Sequence, residues 1–248
     1  MKGIRSLTSF LKKQKRLFLY LSLFLSLLFL VIASLIDIYL RQYIYEKKIN
    51  EFPINVSLDL YPVLTSKVDE EITAKAAVIM DSDSKVVIFS KNPNLLFSMA
   101  STTKIMTALI ALDYYKMDDI LTIRTDNVSG VNVGFKRGQK LFFKDILYAM
   151  LLPSGNDAAL SLAQNFPNGE HAFVEKMNEK AGELHLYNTN FADPAGLDDT
   201  WDYTTALDLA KLASYALQNK KFSEIVATKE ILVSDVTGEN NYKVYNLN

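Results

Sequence analysis

The longest apolar run of the chain lies near its N-terminus. Residues 17–35 read LFLYLSLFLSLLFLVIASL, about the length that a membrane-spanning helix requires. The segment before this run carries six basic residues and no acidic one: Lys2, Arg5, Lys12, Lys13, Lys15 and Arg16. Because cytoplasmic flanks of membrane helices are rich in Lys and Arg, the pattern predicts a cytoplasmic basic segment at residues 1–16, a transmembrane anchor at 17–36 and an exported remainder.

A cleaved signal peptide is the alternative interpretation of the same run. Val31 and Ala33 are small residues before a possible cut, although no Ala-x-Ala stands there. The run is long for a signal core, which favours an uncleaved anchor over a secreted product. Residues 37–73 have no clear hydrophobic period and are predicted to form a juxtamembrane stalk.

From residue 74 onward the pattern is that of a folded domain. Two β-rich runs, at residues 74–80 and 85–90, flank the turn residues DSDS and predict a hairpin. Helices are predicted at residues 101–115, 143–152, 156–164, 169–184 and 204–218, followed by strands at 231–235 and 242–247. This order predicts an α+β domain over residues 74–248, in which a helical cluster packs against an antiparallel sheet. The strands of that sheet come from the beginning and the end of the domain sequence.

Charge and composition exclude several function classes. Without the six N-terminal basic residues, 21 Lys and Arg face 28 Asp and Glu, a net charge of −7, which argues against a nucleic-acid partner. The chain has no cysteine, which excludes disulfides and thiol catalysis. His171 and His185 lie too far apart for ligand-like spacing, so neither a metal nor a cofactor is predicted.

Candidate chemistry begins with the pattern Ser-x-x-Lys, in which a serine can act as nucleophile beside a lysine base. Three pairs match it: Ser9/Lys12, Ser82/Lys85 and Ser101/Lys104. Only Ser101/Lys104 opens a predicted helix, where residues three apart share a face and the helix N-terminus favours a developing oxyanion. No histidine stands in a triad context, so lysine is the remaining base, and burial must lower its pKa for that role.

A second polar pair follows 53 residues after Ser101. Ser154 and Asn156 are separated by Gly155, which allows the backbone to approach closely and to direct two polar groups inward. The spacing Ser-x-Asn also occurs at residues 90–92, so it is weak evidence by itself.

Taken in order and with their flanks, these stretches resemble the penicillin-binding, serine D-Ala-D-Ala carboxypeptidase family, whose members are related to class A β-lactamases. The resemblance runs from about residue 74 to the C-terminus. It is carried by AKAAVIMDSDSKVVIFSKN, MASTTKIMTAL, GQKLFFKDILYAMLLPSGNDAA and NTNFADPAGLDDTWDYTTALDLAKLA, of which the last is similar to a family stretch rich in Asn-Pro-x-Gly-Leu.

The resemblance implies a role for each candidate. Ser101 would be the acylated nucleophile, Lys104 its general base, Ser154 a proton relay toward the leaving D-alanine, and Asn156 a residue that holds the substrate amide and the lysine. The implied activity is removal of the terminal D-alanine from peptidoglycan pentapeptides through an acyl-enzyme that β-lactams would trap. The implied location is the cell membrane, as a single-pass protein with an extracytoplasmic catalytic domain.

The sequence also departs from the family pattern. The third motif, Lys-Thr-Gly, is absent, and its nearest match is Val236-Thr237-Gly238. By the resemblance the motif would follow Asn248, so the chain is interpreted as truncated before it and is expected to fold poorly or to be inactive. Ala195 and Asp202 stand where the family often has histidine, which is expected to affect loop packing.

Two alternative functions stay open at this point. An inactive, membrane-anchored peptidoglycan-binding protein would explain the missing third motif, although it would have no need of the Ser/Lys pair. A β-lactamase is less favoured, because Gly155 stands where Ser-Asp-Asn is expected and no deacylating glutamate can be placed.

Overall fold

The computed structural model describes residues 22, 25–39, 72–126, 128–197 and 200–247. These fall into two compact units, Met1–Leu58 and Asp59–Asn248. In the first unit residues 25–39 are helical, with exposed side chains. Within the described ranges, no helix has the length and apolar character needed to cross a membrane. The predicted basic segment at 1–16 lies outside the described residues, as does most of the predicted stalk at 37–73.

Six α-helices are described in the second unit. Their bounds are α1 Lys104–Tyr114, α2 Phe143–Leu151, α3 Asn156–Asn165, α4 Gly169–Glu183, α5 Ala206–Gln218 and α6 Lys220–Val226. The first five confirm the predicted helices to within a few residues. The sixth was not predicted; it begins after Asn219, whose side-chain oxygen accepts hydrogen bonds from the backbone N–H groups of Lys221 and Phe222.

Eight short strands complete this unit. Their bounds are β1 Ala77–Met80, β2 Val87–Lys91, β3 Leu96–Ser98, β4 Ile120–Thr122, β5 Lys140–Phe142, β6 Tyr203–Thr205, β7 Glu230–Ser234 and β8 Asn241–Tyr245. The antiparallel pairs β1–β2 and β7–β8 confirm the predicted hairpin and the predicted late strands. The single sheet that would join early and late strands is not formed among the described residues, which pair instead as four two-stranded sheets.

The hydrophobic core lies among the helices. Helix α3 contributes small, fully buried residues such as Ala158 and Ala159, which allow close approach of α2 and α4. Large side chains of the neighbouring helices, including Phe143, Met150 and Phe173, fill the space around them. The packed helices therefore hold in place the helix ends at which the polar candidate residues lie.

Strand pairing brings two distant segments together. In the β3–β6 pair, Leu96 faces Thr205 and Ser98 faces Tyr203, so the loop before β6 lies beside the chain that enters α1. The backbone N–H of Met99 donates to the carbonyl of Asp202, at 3.4 Å, and extends this contact. The described residues on either side of positions 198–199, namely 192–197 and 200–202, are thereby placed against the Ser-x-x-Lys segment, about 90 residues away in sequence.

Candidate active site

Ser101 lies in a turn of 3-10 helix, Ala100–Thr103, that leads directly into α1. Ala100 adopts a positive φ of 45°, and Ser101 is exposed. Lys104, the first residue of α1, is only 3% exposed. Its Nζ atom lies 3.1 Å from Ser101 Oγ, within hydrogen-bonding distance. The local helical geometry thus places an accessible hydroxyl beside a buried amine.

The surroundings of Lys104 favour its neutral form more than water does. Burial lowers the pKa of the Lys104 amine from 10.5 to about 8, while the charges of Asp193 and Asp202 act in the opposite direction. The Nζ atom also donates to the carbonyl oxygen of Ala195, at 2.8 Å. A lysine with such a pKa is partly deprotonated near neutral pH and can accept a proton.

The turn between α2 and α3 carries the second polar pair. Ser154 has a positive φ of 65°, and the following glycine is tightly enclosed. A Cβ atom on Gly155 would lie 2.7 Å from both the Ala149 carbonyl oxygen and Val133 Cγ2, so no larger residue fits. The close approach of the backbone that the sequence indicated at this glycine is therefore present.

Ser101, Lys104 and Ser154 line one cavity of about 270 Å³. The remaining lining residues are mostly apolar: Thr102, Ile105, Met150, Leu151, Phe222 and Val226. Phe222 and Val226 belong to α6, which the sequence pattern did not predict. The structure thus brings three of the four candidate residues to the same concave surface.

Asn156, the fourth candidate, is the first residue of α3 and is 5% exposed. Its Nδ2 atom donates to the carbonyl of Ser129, at 2.7 Å, and a Cβ atom on Gly130 would lie 2.7 Å from that nitrogen. Within the described part of the chain its Oδ1 atom is buried without a hydrogen-bond partner. The Asn156 amide thus holds the segment around Gly130, while Lys104 donates to Ser101 and Ala195.

Asp157, next in the chain, was not among the candidate residues. It is 1% exposed, and its carboxylate accepts four backbone N–H bonds. Those donors are Val133 at 3.0 Å, Gly134 at 2.9 Å, Phe135 at 3.1 Å and Ala158 at 3.0 Å. Asp157 therefore ties the loop before β5 to the start of α3, beside the Ser154 turn.

Replacing Asp157 with alanine is expected to lower the free energy of unfolding by about 3 kcal/mol, because buried N–H donors lose their acceptor. Urea denaturation followed by circular dichroism measures this loss. Asp157→Asn keeps one acceptor oxygen and should lose less, and the exposed Asp118→Ala serves as control. Equal losses for Asp157→Ala and Asp118→Ala would contradict the structural role of this carboxylate.

Two aspartates before β6, Asp193 and Asp202, were not among the candidate site residues. The Asp193 carboxylate accepts from the backbone N–H groups of Ala195, Gly196 and Leu197, at 2.7 to 2.8 Å. Asp202, which is fully buried, accepts from Thr103 Oγ1 at 3.0 Å and from the N–H of Ala192 at 3.1 Å. The available signal was the Asp-Pro-x-Gly sequence, which is typical of a turn.

Val236-Thr237-Gly238, the nearest match to the third motif, lies in the turn between β7 and β8. Thr237 Oγ1 donates to Asp235 Oδ1 at 2.8 Å, and Gly238 has a φ of 74°. These contacts are local to the turn, and the segment does not line the cavity at Ser101.

An exposed serine beside a buried lysine at the start of a helix is the arrangement of serine enzymes that use a lysine base. Residues 63–248 match the peptidase family described as D-alanyl-D-alanine carboxypeptidase, and the chain belongs to that family. This confirms the family resemblance that the sequence motifs indicated.

Similar proteins and structures agree with this assignment. The chain is 36% identical over 169 residues to a D-alanyl-D-alanine endopeptidase of Pseudomonas aeruginosa, which covers 66% of this chain and 54% of that protein. It is 35% identical over 179 residues to the D-alanyl-D-alanine carboxypeptidase DacF of Bacillus subtilis, covering 69% and 45%. The chain spans about half the length of these curated relatives.

Two solved structures establish the fold. The Streptomyces K15 DD-transpeptidase superposes with a TM-score of 0.66 at 30% identity, covering 72% of this chain and 76% of that one. The D-alanyl-D-alanine carboxypeptidase of Mycobacterium tuberculosis superposes with a TM-score of 0.68 at 29% identity, covering 74% and 70%. The α+β, transpeptidase-like fold class predicted from the sequence is therefore confirmed.

Proposed function

We propose that this protein is a serine D-Ala-D-Ala carboxypeptidase that acts on the stem peptides of peptidoglycan. The observation that carries the proposal is the 3.1 Å separation of Lys104 Nζ and Ser101 Oγ, with the lysine buried and the serine accessible. Membership of the family and the similarity to the D-alanyl-D-alanine carboxypeptidase DacF support the same reaction.

The first half-reaction forms an ester on Ser101. Neutral Lys104 takes the hydroxyl proton as Ser101 Oγ attacks the carbonyl carbon of the D-Ala–D-Ala peptide bond. The backbone N–H of Ser101, at the N-terminal end of the helix, stabilises the oxyanion of the tetrahedral intermediate. The C–N bond then breaks as Ser154 donates its hydroxyl proton to the nitrogen of the leaving D-alanine and takes up the proton held by Lys104, which becomes neutral again.

The second half-reaction releases the shortened peptide. Water adds to the ester carbonyl, gives up a proton to the lysine, and Ser101 leaves with its hydroxyl restored.

Asn156 is proposed to bind the peptide amide, for which its unpartnered Oδ1 atom offers an acceptor. In a β-lactam the broken amide is part of a ring, so the leaving nitrogen stays attached and Ser101 remains acylated.

The reaction predicts a covalent adduct on Ser101. Benzylpenicillin is incubated with the 248-residue chain and with a chimera in which the segment of the Bacillus subtilis relative that follows its matched region is joined after Asn248. Mass spectrometry of peptides should find one penicilloyl group on Ser101 and none after Ser101→Ala. The chimera should react about 10²–10³-fold faster if the added segment supplies an oxyanion donor.

Other outcomes of this experiment separate the alternative functions. If neither chain forms the adduct, the carboxypeptidase proposal is wrong, and pull-down by purified peptidoglycan then tests the inactive binding protein. Rapid turnover of benzylpenicillin without release of D-alanine from a pentapeptide would instead indicate a β-lactamase. Release of D-alanine together with a long-lived adduct supports the proposed activity.

We further propose that the protein is anchored in the cell membrane by residues 17–36, with residues 74–248 outside the cytoplasm. The apolar run and the six preceding basic residues support this location. Because the chain has no cysteine, Asp118→Cys and Ser9→Cys each introduce a single thiol. A membrane-impermeant maleimide added to intact cells, or to spheroplasts if an outer membrane is present, should label only the first variant. Recovery of the domain from the medium would show cleavage instead.

A further inference from the structure

The loop that contains Asp193 is fastened to the first turns of α1 by two hydrogen bonds. Lys104 Nζ donates to the Ala195 carbonyl at 2.8 Å, and Thr107 Oγ1 donates to the Pro194 carbonyl at 2.6 Å. The three backbone N–H bonds to the Asp193 carboxylate fix the curvature of this loop. The Asp193 carboxylate therefore helps to set the position of the Ala195 carbonyl.

The same carboxylate belongs to a small set of charges around Lys104. Asp193 and Asp202 are the acidic groups that act on the lysine, both from the loop before β6. The α2 and α6 side chains that share its cavity are apolar, as is Ile105 of α1. The other polar groups of the lining are the hydroxyls of Ser101, Thr102 and Ser154. Glu170, at the start of α4, interacts with Asp193, and burial and that charge raise the pKa of Glu170.

We propose that Asp193 is a positioning residue for Lys104. It holds the Ala195 carbonyl against the Lys104 amine, and it places a negative charge near that amine. A neutral amine has two N–H groups and one lone pair. When Ala195 accepts one N–H group, the rotation of the amine is restricted and its lone pair can face the Ser101 hydroxyl. After proton transfer the Asp193 charge stabilises the ammonium ion.

The residue at this position differs from the family stretch that the chain resembles. The family stretch that it resembles is rich in Asn-Pro-x-Gly-Leu, whereas this chain has Asp193-Pro194-Ala195-Gly196-Leu197. An asparagine could keep the acceptor oxygen used by the N–H groups of Ala195 and Gly196, but it carries no charge. Asp193→Asn therefore separates the charge from most of the loop geometry, and Asp193→Ala removes both.

The first test measures the lysine directly and does not depend on catalysis. The protein is labelled with ¹³C at the lysine ε-carbon, the Lys104 signal is identified by its loss in Lys104→Arg, and its pKa is read from an NMR titration. Asp193→Asn should lower the pKa of Lys104 by about one unit. The matched control Asp113→Asn, an exposed position near the end of α1, should leave it unchanged. An unchanged pKa in Asp193→Asn would overturn the inference.

The second test depends on the proposed function, since it follows acylation of Ser101 by benzylpenicillin against pH. The acid limb of the rate profile should move to lower pH in Asp193→Asn by the same amount as the Lys104 pKa. Asp193→Ala should also lower the pH-independent maximum, about tenfold or more, because the amine is no longer oriented. If the NMR shift appears but no variant is acylated, the proposed function fails and the placement of Asp193 stands. If acylation proceeds but Asp193→Asn moves neither the NMR titration nor the rate profile, this inference fails alone.

Discussion

Replacing Lys104 with methionine is expected to slow acylation of Ser101 by benzylpenicillin about 10²–10⁴-fold, the contribution of a positioned general base. Methionine is similar in length and apolar, so it suits a position that is 3% exposed. The substitution removes the group that lies 3.1 Å from Ser101 Oγ. The rate of penicilloyl adduct formation, measured by quenched mass spectrometry on whichever chain forms the adduct, gives the effect.

The chain offers a matched control in its second described Ser-x-x-Lys pair. Lys85 lies in the turn between β1 and β2, where its amine donates to the Ser82 carbonyl and to Ser214 Oγ on α5. Lys85→Met should leave acylation of Ser101 within about twofold of the wild type, although it loosens the hairpin on α5. Equal rates for Lys104→Met and the wild type, with both variants folded by circular dichroism, would rule out Lys104 as the base.

The Lys104 amine also predicts how the reaction depends on pH. Only the neutral amine accepts a proton, and burial lowers the pKa of Lys104 to about 8. The acylation rate of the wild type should therefore rise with pH and level off above about pH 8, and Lys104→Met should lose this rise. A wild-type rate that is flat between pH 6 and 9 would argue against a lysine base with this pKa.

The sequence predicted helices better than strands, for reasons that are visible in the structure. Helices α1 to α5 have long apolar faces, so their period is readable from the chain alone. Strands β3, β4, β5 and β6 have three residues each, which is too short for alternation to emerge. Helix α6 has seven residues and follows α5 after one residue, so the two were not separable by pattern.

In the candidate site, likewise, contacts within one stretch of sequence were predictable and contacts between distant stretches were not. The Ser101/Lys104 pair is local, because a spacing of three at a helix start fixes the geometry. The partners of Lys104 are distant: Ala195 contributes a backbone carbonyl, which no residue pattern reveals. Asp202 was expected to affect loop packing, and it is buried and bonded to Thr103 beside the lysine. Such roles arise only when β3 and β6 pair.

The strongest steric constraint around the nucleophile comes from Gly196. A Cβ atom at this position would lie 1.8 Å from the Ala100 carbonyl oxygen and 2.9 Å from Thr103 Oγ1. The backbone of Gly196 also has a φ of 78°, which disfavours any residue with a side chain. Since the shortest contact is with the backbone carbonyl of Ala100, it cannot be relieved by rotating a side chain.

Gly196→Ala is therefore expected to lower the free energy of unfolding by about 3–5 kcal/mol, in the range typical of severe steric conflict. Gly134→Ala is the matched control, because Gly134 has a φ of 95° but a Cβ atom there meets nothing within 4 Å. Gly134→Ala should lower the free energy of unfolding by only about 1–2 kcal/mol, the penalty for a positive φ in a residue with a side chain. Urea denaturation of both variants isolates the steric part as the difference between them.

The clash should also be felt in the chemistry, because Ala100 immediately precedes the nucleophile. In the fraction of Gly196→Ala that stays folded at low temperature, a shift of about 1 Å in the turn at residues 100–103 should slow acylation about 10²-fold. Gly134→Ala should acylate at nearly the wild-type rate under the same conditions. Equal losses of stability and of acylation rate in the two glycine variants would mean that the positive φ alone is the cause. The close approach of the loop at residues 192–197 to Ala100 would then have no part in holding Ser101 against Lys104.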